Sequence, residues 1–184
     1  MDTTHNALAT PGADAGLAER HDVMDEVVGL TPSNPLYAVR HARDKVSAAM
    51  QKSYDLFFDP QGKGLTIQER LLVALYACRL SRAQALETHY RQALSTYAQE
   101  SGAVMAIDAD QLDLLSSARL KAMLAFTRKL ILKPVEGDQA ALAPLQQAGV
   151  ATPDIVTLAQ LIAFLSYQIR VAAGLRALKA MESL

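Results

Sequence analysis

Three residues close together in this 184-residue chain are of a type that does chemistry: Cys78, His89 and Tyr90. Cys78 is the one cysteine. As a thiolate it could attack a peroxide oxygen or act as a redox sensor. As a thiol on an apolar helix it is a core residue, since free cysteine is among the most buried residue types. His89 has Glu87 nearby and Tyr90 beside it. It could serve as acid or base in a pocket, or sit on a helix shoulder with no part in chemistry. Further along, Tyr167 and Arg170 could line a pocket for an anionic ligand, with Arg170 as counter-charge. The alternative is an ion pair between Arg170 and a carboxylate across the molecule. Glu69 is a carboxylate on the same segment as Cys78, but Thr66-Ile67-Gln68-Glu69 spells a capping box, which accounts for it.

Several chemistries are not indicated. His5, His21 and His41 are scattered, with no HxxxH, HExxH or Cys/His cluster, so no metal site is expected. No glycine-rich phosphate loop and no GxSxG elbow occur, and no cofactor is expected. A single cysteine makes no internal disulfide. The formal net charge of −1 provides no basic field for nucleic acid and no polybasic run for a membrane surface. The N-terminal residues lack the basic and apolar regions of a secretory signal. The most apolar stretch, Ile155 to Ile169, is interrupted by Thr157, Gln160, Ser166 and Gln168, and reads as too short and too polar to span a bilayer. The expectation is a cytoplasmic protein that binds neither nucleic acid nor membrane.

The elements that must position these residues are helical. Hydrophobic residues make up 51% of the chain and aromatics only 5%, without tryptophan, which favours packed helices over sheets: an all-α fold. Met1 to about Ala15 is small and polar and is expected to be a disordered arm, with one domain over 16–184. The spacing predicts a helix over 21–30, stopped by Gly29. A second is capped by Ser33 or Asn34 and continues to Phe58, with Val46, Met50, Tyr54 and Phe57 on its inner stripe. The capping box opens a helix from Ile67 to Leu80 that is apolar on nearly every side, followed by a tight break near Leu80-Ser81-Arg82. A second, amphipathic helix then runs to about Glu100, where Ser101-Gly102 ends it. A loop anchored by Val104, Met105 and Ile107 leads to a short helix over 109–115. Helices over 119–132 and 139–148 follow. The last starts with Thr152 as cap and Pro153 first, and its Gly174 marks close packing against a neighbour.

The stretch Leu65 to Leu94, LTIQERLLVALYACRLSRAQALETHYRQAL, resembles the core of the carboxymuconolactone decarboxylase/AhpD-like superfamily. The resemblance extends over DVMDEVVGLTPSNPLYAVRHARDKVSAAMQKSYDLFFDP, which is similar to an uncharacterised CMD-domain subfamily, and over the C-terminal half. It implies an AhpD-like helical bundle that assembles as a homo-oligomer. The strongly apolar helix over 67–80 points the same way, as more apolar surface than one small bundle covers. The peroxidase branch carries a glutamate, a CxxC pair and a histidine four residues later. Here the resemblance puts Leu71, Ala83, Leu86 and Tyr90 at those positions, and Leu165 to Arg170 where FNFxNR is usual. A peroxidatic pair is therefore absent. The first expectation is a catalytically degenerate or ligand-binding accessory protein taking a small molecule. The alternatives are a lactone-type enzyme without thiol chemistry, using His89 and Tyr90, and a one-cysteine antioxidant using Cys78.

Overall fold

The computed structural model describes residues 21–97 and 101–182, and among them the secondary structure is helical, with no strand. The arm expected over Met1 to Ala15, and His5 with it, lies outside the described residues.

α1 (Val23–Val28) starts at Asp22, whose Oδ1 accepts from the Met24 and Asp25 amides at 2.9 and 3.1 Å. It stops at Gly29, which takes the left-handed φ of 68° that glycine adopts without cost. Asn34, rather than Ser33, caps α2 (Pro35–His41). The predicted single helix to Phe58 is broken at Ala42-Arg43, and α3 (Asp44–Phe57) starts afresh. Arg40 and His41 turn at the end of α2 to pair with carboxylates of α1, and that tertiary pairing overrides the local pattern. Met50 is buried as expected, but Val46 is 52% exposed.

α4 (Ile67–Leu80) and α5 (Gln84–Ser95) are joined by the expected tight turn, in which Arg82 takes a φ of 55°. Residues 98–100, where the second helix was expected to end, lie outside the described residues. Beyond them the predicted loop is a helix, α6 (Ser101–Asp108), because Ala103, Ala106 and Ile107 share one buried face. Ser101-Gly102 begins this helix rather than ending the previous one. The short helix expected over 109–115 is a 3-10 turn, Leu112–Leu114. α7 (Ala118–Leu132) is capped by the Ser117 hydroxyl, which accepts from the Leu120 amide at 3.2 Å. α8 (Gln139–Gln147) is capped by Asp138.

α9 (Thr152–Met181) closes the chain with 30 residues. Thr152 is its first residue and does not cap it, since extended Ala151 occupies the flanking position. Gly174 is not closely packed: a Cβ built there meets nothing within 4 Å. The stretch read as too short for a bilayer lies inside this longer helix, which is long and apolar enough to cross a membrane by length and composition alone.

α4 is the post of the bundle. Its capping box forms in full: the Thr66 hydroxyl accepts from the Glu69 amide at 3.1 Å, and Glu69 Oε2 accepts from the Thr66 amide at 2.8 Å. Every residue from Arg70 to Cys78 is buried, with α5, α7 and α9 packed around it. A helix apolar on all sides needs cover on all sides. One chain supplies it, so α4 leaves no bare face for a second subunit, contrary to the reason the sequence suggested for assembly.

Arg70 is the one charged residue in that buried run, and it is 3% exposed. Its guanidinium donates to four main-chain carbonyls: Leu65 and Gly62 at 2.7 Å, Phe57 at 2.9 Å and Asp59 at 3.3 Å. Those carbonyls belong to the last residue of α3 and to the connection that leads into α4. A Cβ on Gly62 would lie 2.5 Å from Arg70 Nη1, so glycine is what lets the connection close over the guanidinium. Arg70→Met keeps an apolar stem and strands these carbonyls. We expect it to lower the unfolding free energy by about 3 kcal/mol in a urea titration. Arg70→Lys recovers only part of that, because an ammonium cannot present the planar fork.

Candidate functional site

Cys78 is fully buried in α4. Burial pushes its thiol far above the ordinary thiol range, and the nearby charge of Glu87 adds to this. Both effects hold the sulfur as an unreactive thiol.

His89 and Tyr90 are neighbours on α5 with separate partners. His89 Nε2 lies 2.8 Å from the Tyr54 hydroxyl, under α3. Burial lowers the histidine pKa, and burial pushes the Tyr54 phenol up to about 12. The contact is therefore a hydrogen bond between two neutral groups. Glu87, the acid expected beside His89, turns away to Arg91 at 3.1 Å and Arg79 at 3.4 Å. Tyr90 is fully buried and donates its hydroxyl to Gln168 Oε1 at 2.5 Å. The Phe58 ring lies 5.1 Å from that of Tyr90. Burial holds the Tyr90 phenol well above its usual value, which makes it a donor and not a base.

Gln168 is the residue that sequence reasoning passed over. It counted as a polar interruption in an apolar stretch, yet it is 1% exposed and partners Tyr90 across 78 positions of sequence. Its neighbours Tyr167 and Arg170 face the other way. Both are exposed on the outer side of α9, and the Arg170 guanidinium donates to the Ser166 carbonyl at 2.9 Å. Among the described residues they form no ion pair across the bundle.

A second cluster was also missed. Asp22, Asp25 and His41 bring ligand-type atoms within 4.8 Å of one another, a donor set that a metal ion could use. Arg40 already supplies the positive charge there. Its Nη2 lies 2.8 Å from Asp22 Oδ1, and its Nε faces Asp25 Oδ1 at 3.2 Å without hydrogen-bond geometry. His41 completes the group, with Nε2 2.8 Å from Asp25 Oδ2. Burial raises the Asp25 pKa even though Arg40 and the His41 hydrogen bond act to lower it. The cluster ties α1 to α2. His21 pairs with Glu26 at 2.7 Å in the open.

A cleft of about 290 Å³ lies between the α4–α5 turn and α9. Ala83, Leu86, Ile169 and Ala172 give it an apolar lining, and Arg82 and Arg176 add two cations. Among the described residues neither guanidinium has a hydrogen-bond or ion-pair partner. On the other side of the turn the cations are paired: Arg79 and Arg91 with Glu87 and Asp108, and Arg128 with Asp110 and the Tyr76 hydroxyl.

No protein-family model matches the chain, and no curated protein matches its sequence.

Two outcomes follow from this geometry. Cys78 should resist iodoacetamide in the native protein and react fully once the chain is unfolded in guanidinium chloride; mass spectrometry reads both. His89 should make stability pH-dependent. Its folded pKa is lowered, so the unfolded chain binds more protons, and the stabilisation is complete above the ordinary value of 6.5. It is lost as pH falls below 6.5 towards the lowered folded value, and His89→Gln should flatten that part of a melting-temperature profile.

Proposed function

We propose that this chain is a catalytically silent, ligand-binding relative of the CMD/AhpD-like proteins. Its ligand is a small anion with an apolar body, held in the cleft between the α4–α5 turn and α9. One observation carries the reading. Ala83 and Leu86, at the positions the resemblance gives to a thiol pair, line a cleft that also holds two unpaired arginines, Arg82 and Arg176. Such a cleft offers apolar area for a hydrocarbon or ring and positive charge for a carboxylate or similar group. It offers no thiol, and the one hydroxyl in its lining, Ser81, has no carboxylate or histidine beside it in that lining.

The other two readings find less support. A lactone-type enzyme needs an acid and a base converging on one cavity. His89 and Tyr90 are engaged with Tyr54 and Gln168, and neither lines the cleft. A one-cysteine antioxidant needs a reachable thiolate, and Cys78 is sealed in the core.

Two measurements test the proposal. Hydroperoxide reduction with a dithiol reductant should be absent in both wild type and Cys78→Ala. Turnover by wild type that Cys78→Ala loses would overturn the silent reading. Titration with benzoate and hexanoate should raise the melting temperature of wild type. A ligand at 100 times its Kd adds about 2.7 kcal/mol of stability. Arg176→Glu, an exposed change, should abolish the effect. A wild type indifferent to both acids would remove the cleft from consideration.

A further inference from the structure

The cleft between the α4–α5 turn and α9 has an excess of donors. Two guanidinia, Arg82 from the turn and Arg176 from α9, meet there without partners among the described residues. Ser81 adds a hydroxyl and Gln84 a carboxamide, and no carboxylate lines the space. Glu87, the acid of the first turn of α5, is held instead by Arg79 and Arg91.

The main chain adds to the same excess. α5 starts from Ala83, which has no side-chain acceptor to offer. The first amide of the helix with an acceptor is that of Glu87, on the Ala83 carbonyl at 2.9 Å. Among the described residues the amides of Gln84, Ala85 and Leu86 have none, and all three residues line the cleft. Aligned peptide dipoles make such a start electropositive.

A carboxylate uses little of this. It carries one charge on two oxygens, and a single guanidinium takes both in a fork. The second arginine and the amides would then be left over. A phosphate monoester carries close to two negative charges at neutral pH, with three acceptor oxygens on one centre. That matches two guanidinia together with the amides of an open helix start.

We propose that the ligand of this cleft is the phosphate monoester of a small apolar alcohol, its head group on Arg82, Arg176 and the first turn of α5. The proposal deepens the reading of the cleft as an anion site and rests on it. Ala83, Leu86, Ile169 and Ala172 supply the wall for the ester group. At about 290 Å³ the cleft is at the small end of ligand pockets, which suits a short chain or one ring.

Isothermal titration calorimetry on the full chain tests the head group with ligands built on six-carbon chains. At about pH 7.5 hexyl phosphate should bind about ten-fold tighter than hexanoate or hexyl sulfate, each of which carries one charge. Inorganic phosphate, which has no apolar body, should bind more weakly than hexyl phosphate. At about pH 5 the phosphate should lose its second charge and about ten-fold in affinity, and the sulfate should not change. No residue lining the cleft titrates in that range. Arg176→Gln, at an exposed position, should remove the preference for phosphate over sulfate. Ala83→Asp places a cap and an acid on the open turn. It should abolish hexyl phosphate binding without lowering the melting temperature. Hexanoate bound as tightly as hexyl phosphate, phosphate binding that survives Ala83→Asp, or tighter binding of the two-headed adipate would overturn the phosphate assignment and leave an anion cleft. Indifference to every one of these ligands would remove the cleft itself. Sedimentation with phosphatidic acid vesicles without a response to hexyl phosphate would overturn the proposal in favour of a lipid surface.

Discussion

The guanidinium of Arg70 holds the place where the chain enters its central helix. It gathers the carbonyls of Phe57, Asp59, Gly62 and Leu65, so the connection from α3 folds down over the start of α4. A buried charge is tolerable only when its donors are satisfied, and here main-chain dipoles do the work a carboxylate would otherwise do. The same turn of α4 reaches outward as well. Glu69, having closed the capping box with one oxygen, accepts from Arg119 of α7 at 2.8 Å with the other. Arg119 in turn reaches Asp154 in the first turn of α9 at 3.0 Å. One helical turn thus fixes the entry loop, α7 and α9 relative to one another, and the apolar residues after it pack into a frame already aligned.

The burial that makes this core also silences its chemistry. Desolvation pushes the Cys78 thiol and the phenols of Tyr54 and Tyr90 up, and pushes His89 down. All four shifts favour the neutral form. A site built from these groups would lack a thiolate, a phenolate and an imidazolium at neutral pH. Charge is kept instead at the rim, where the Arg79–Glu87–Arg91–Asp108 network is largely satisfied within itself. Such partly exposed pairs add little stability individually. Their consequence is selective: they leave Arg82 and Arg176 as the cations turned towards a cleft with no acid of their own.

What could be read from the sequence is what local rules govern. The Thr66–Glu69 box, the apolar run to Leu80, the turn at Arg82 and the glycine stop at Gly29 are each decided within a few residues, and each is found where expected. Apart from the Thr152 cap, a local reading that Ala151 displaces, the main failures are non-local. The break after His41 comes from carboxylates sixteen or more positions away in α1. The helix α6 comes from a small apolar face whose cover lies elsewhere in the bundle. Gln168 has a role only because α9 lies beside α5, and periodicity gives a residue's side of a helix, not the atom it will meet. The cleft likewise joins two segments more than eighty residues apart, Ala83 to Leu86 and Ile169 to Arg176, and no spacing rule relates them.

α9 carries unlike demands on its two sides within a few residues. Gln168, Ile169 and Ala172 face inward, the first to Tyr90 and the others to the cleft. Tyr167 and Arg170, interleaved with them, face outward. The inner side is anchored at its start by Arg119 on Asp154 and near its end by Lys179, whose ammonium donates to the carbonyl of Val28 at 3.1 Å. Between those anchors the helix is continuous, with no internal proline after its first turn to absorb a bend. The wall of the cleft that α9 provides is therefore part of a stiff rod held near both ends. A displacement of α9 would also move Gln168 away from a buried hydroxyl that has no other acceptor among the described residues, and the cost of stranding that hydroxyl adds to what holds the wall in place.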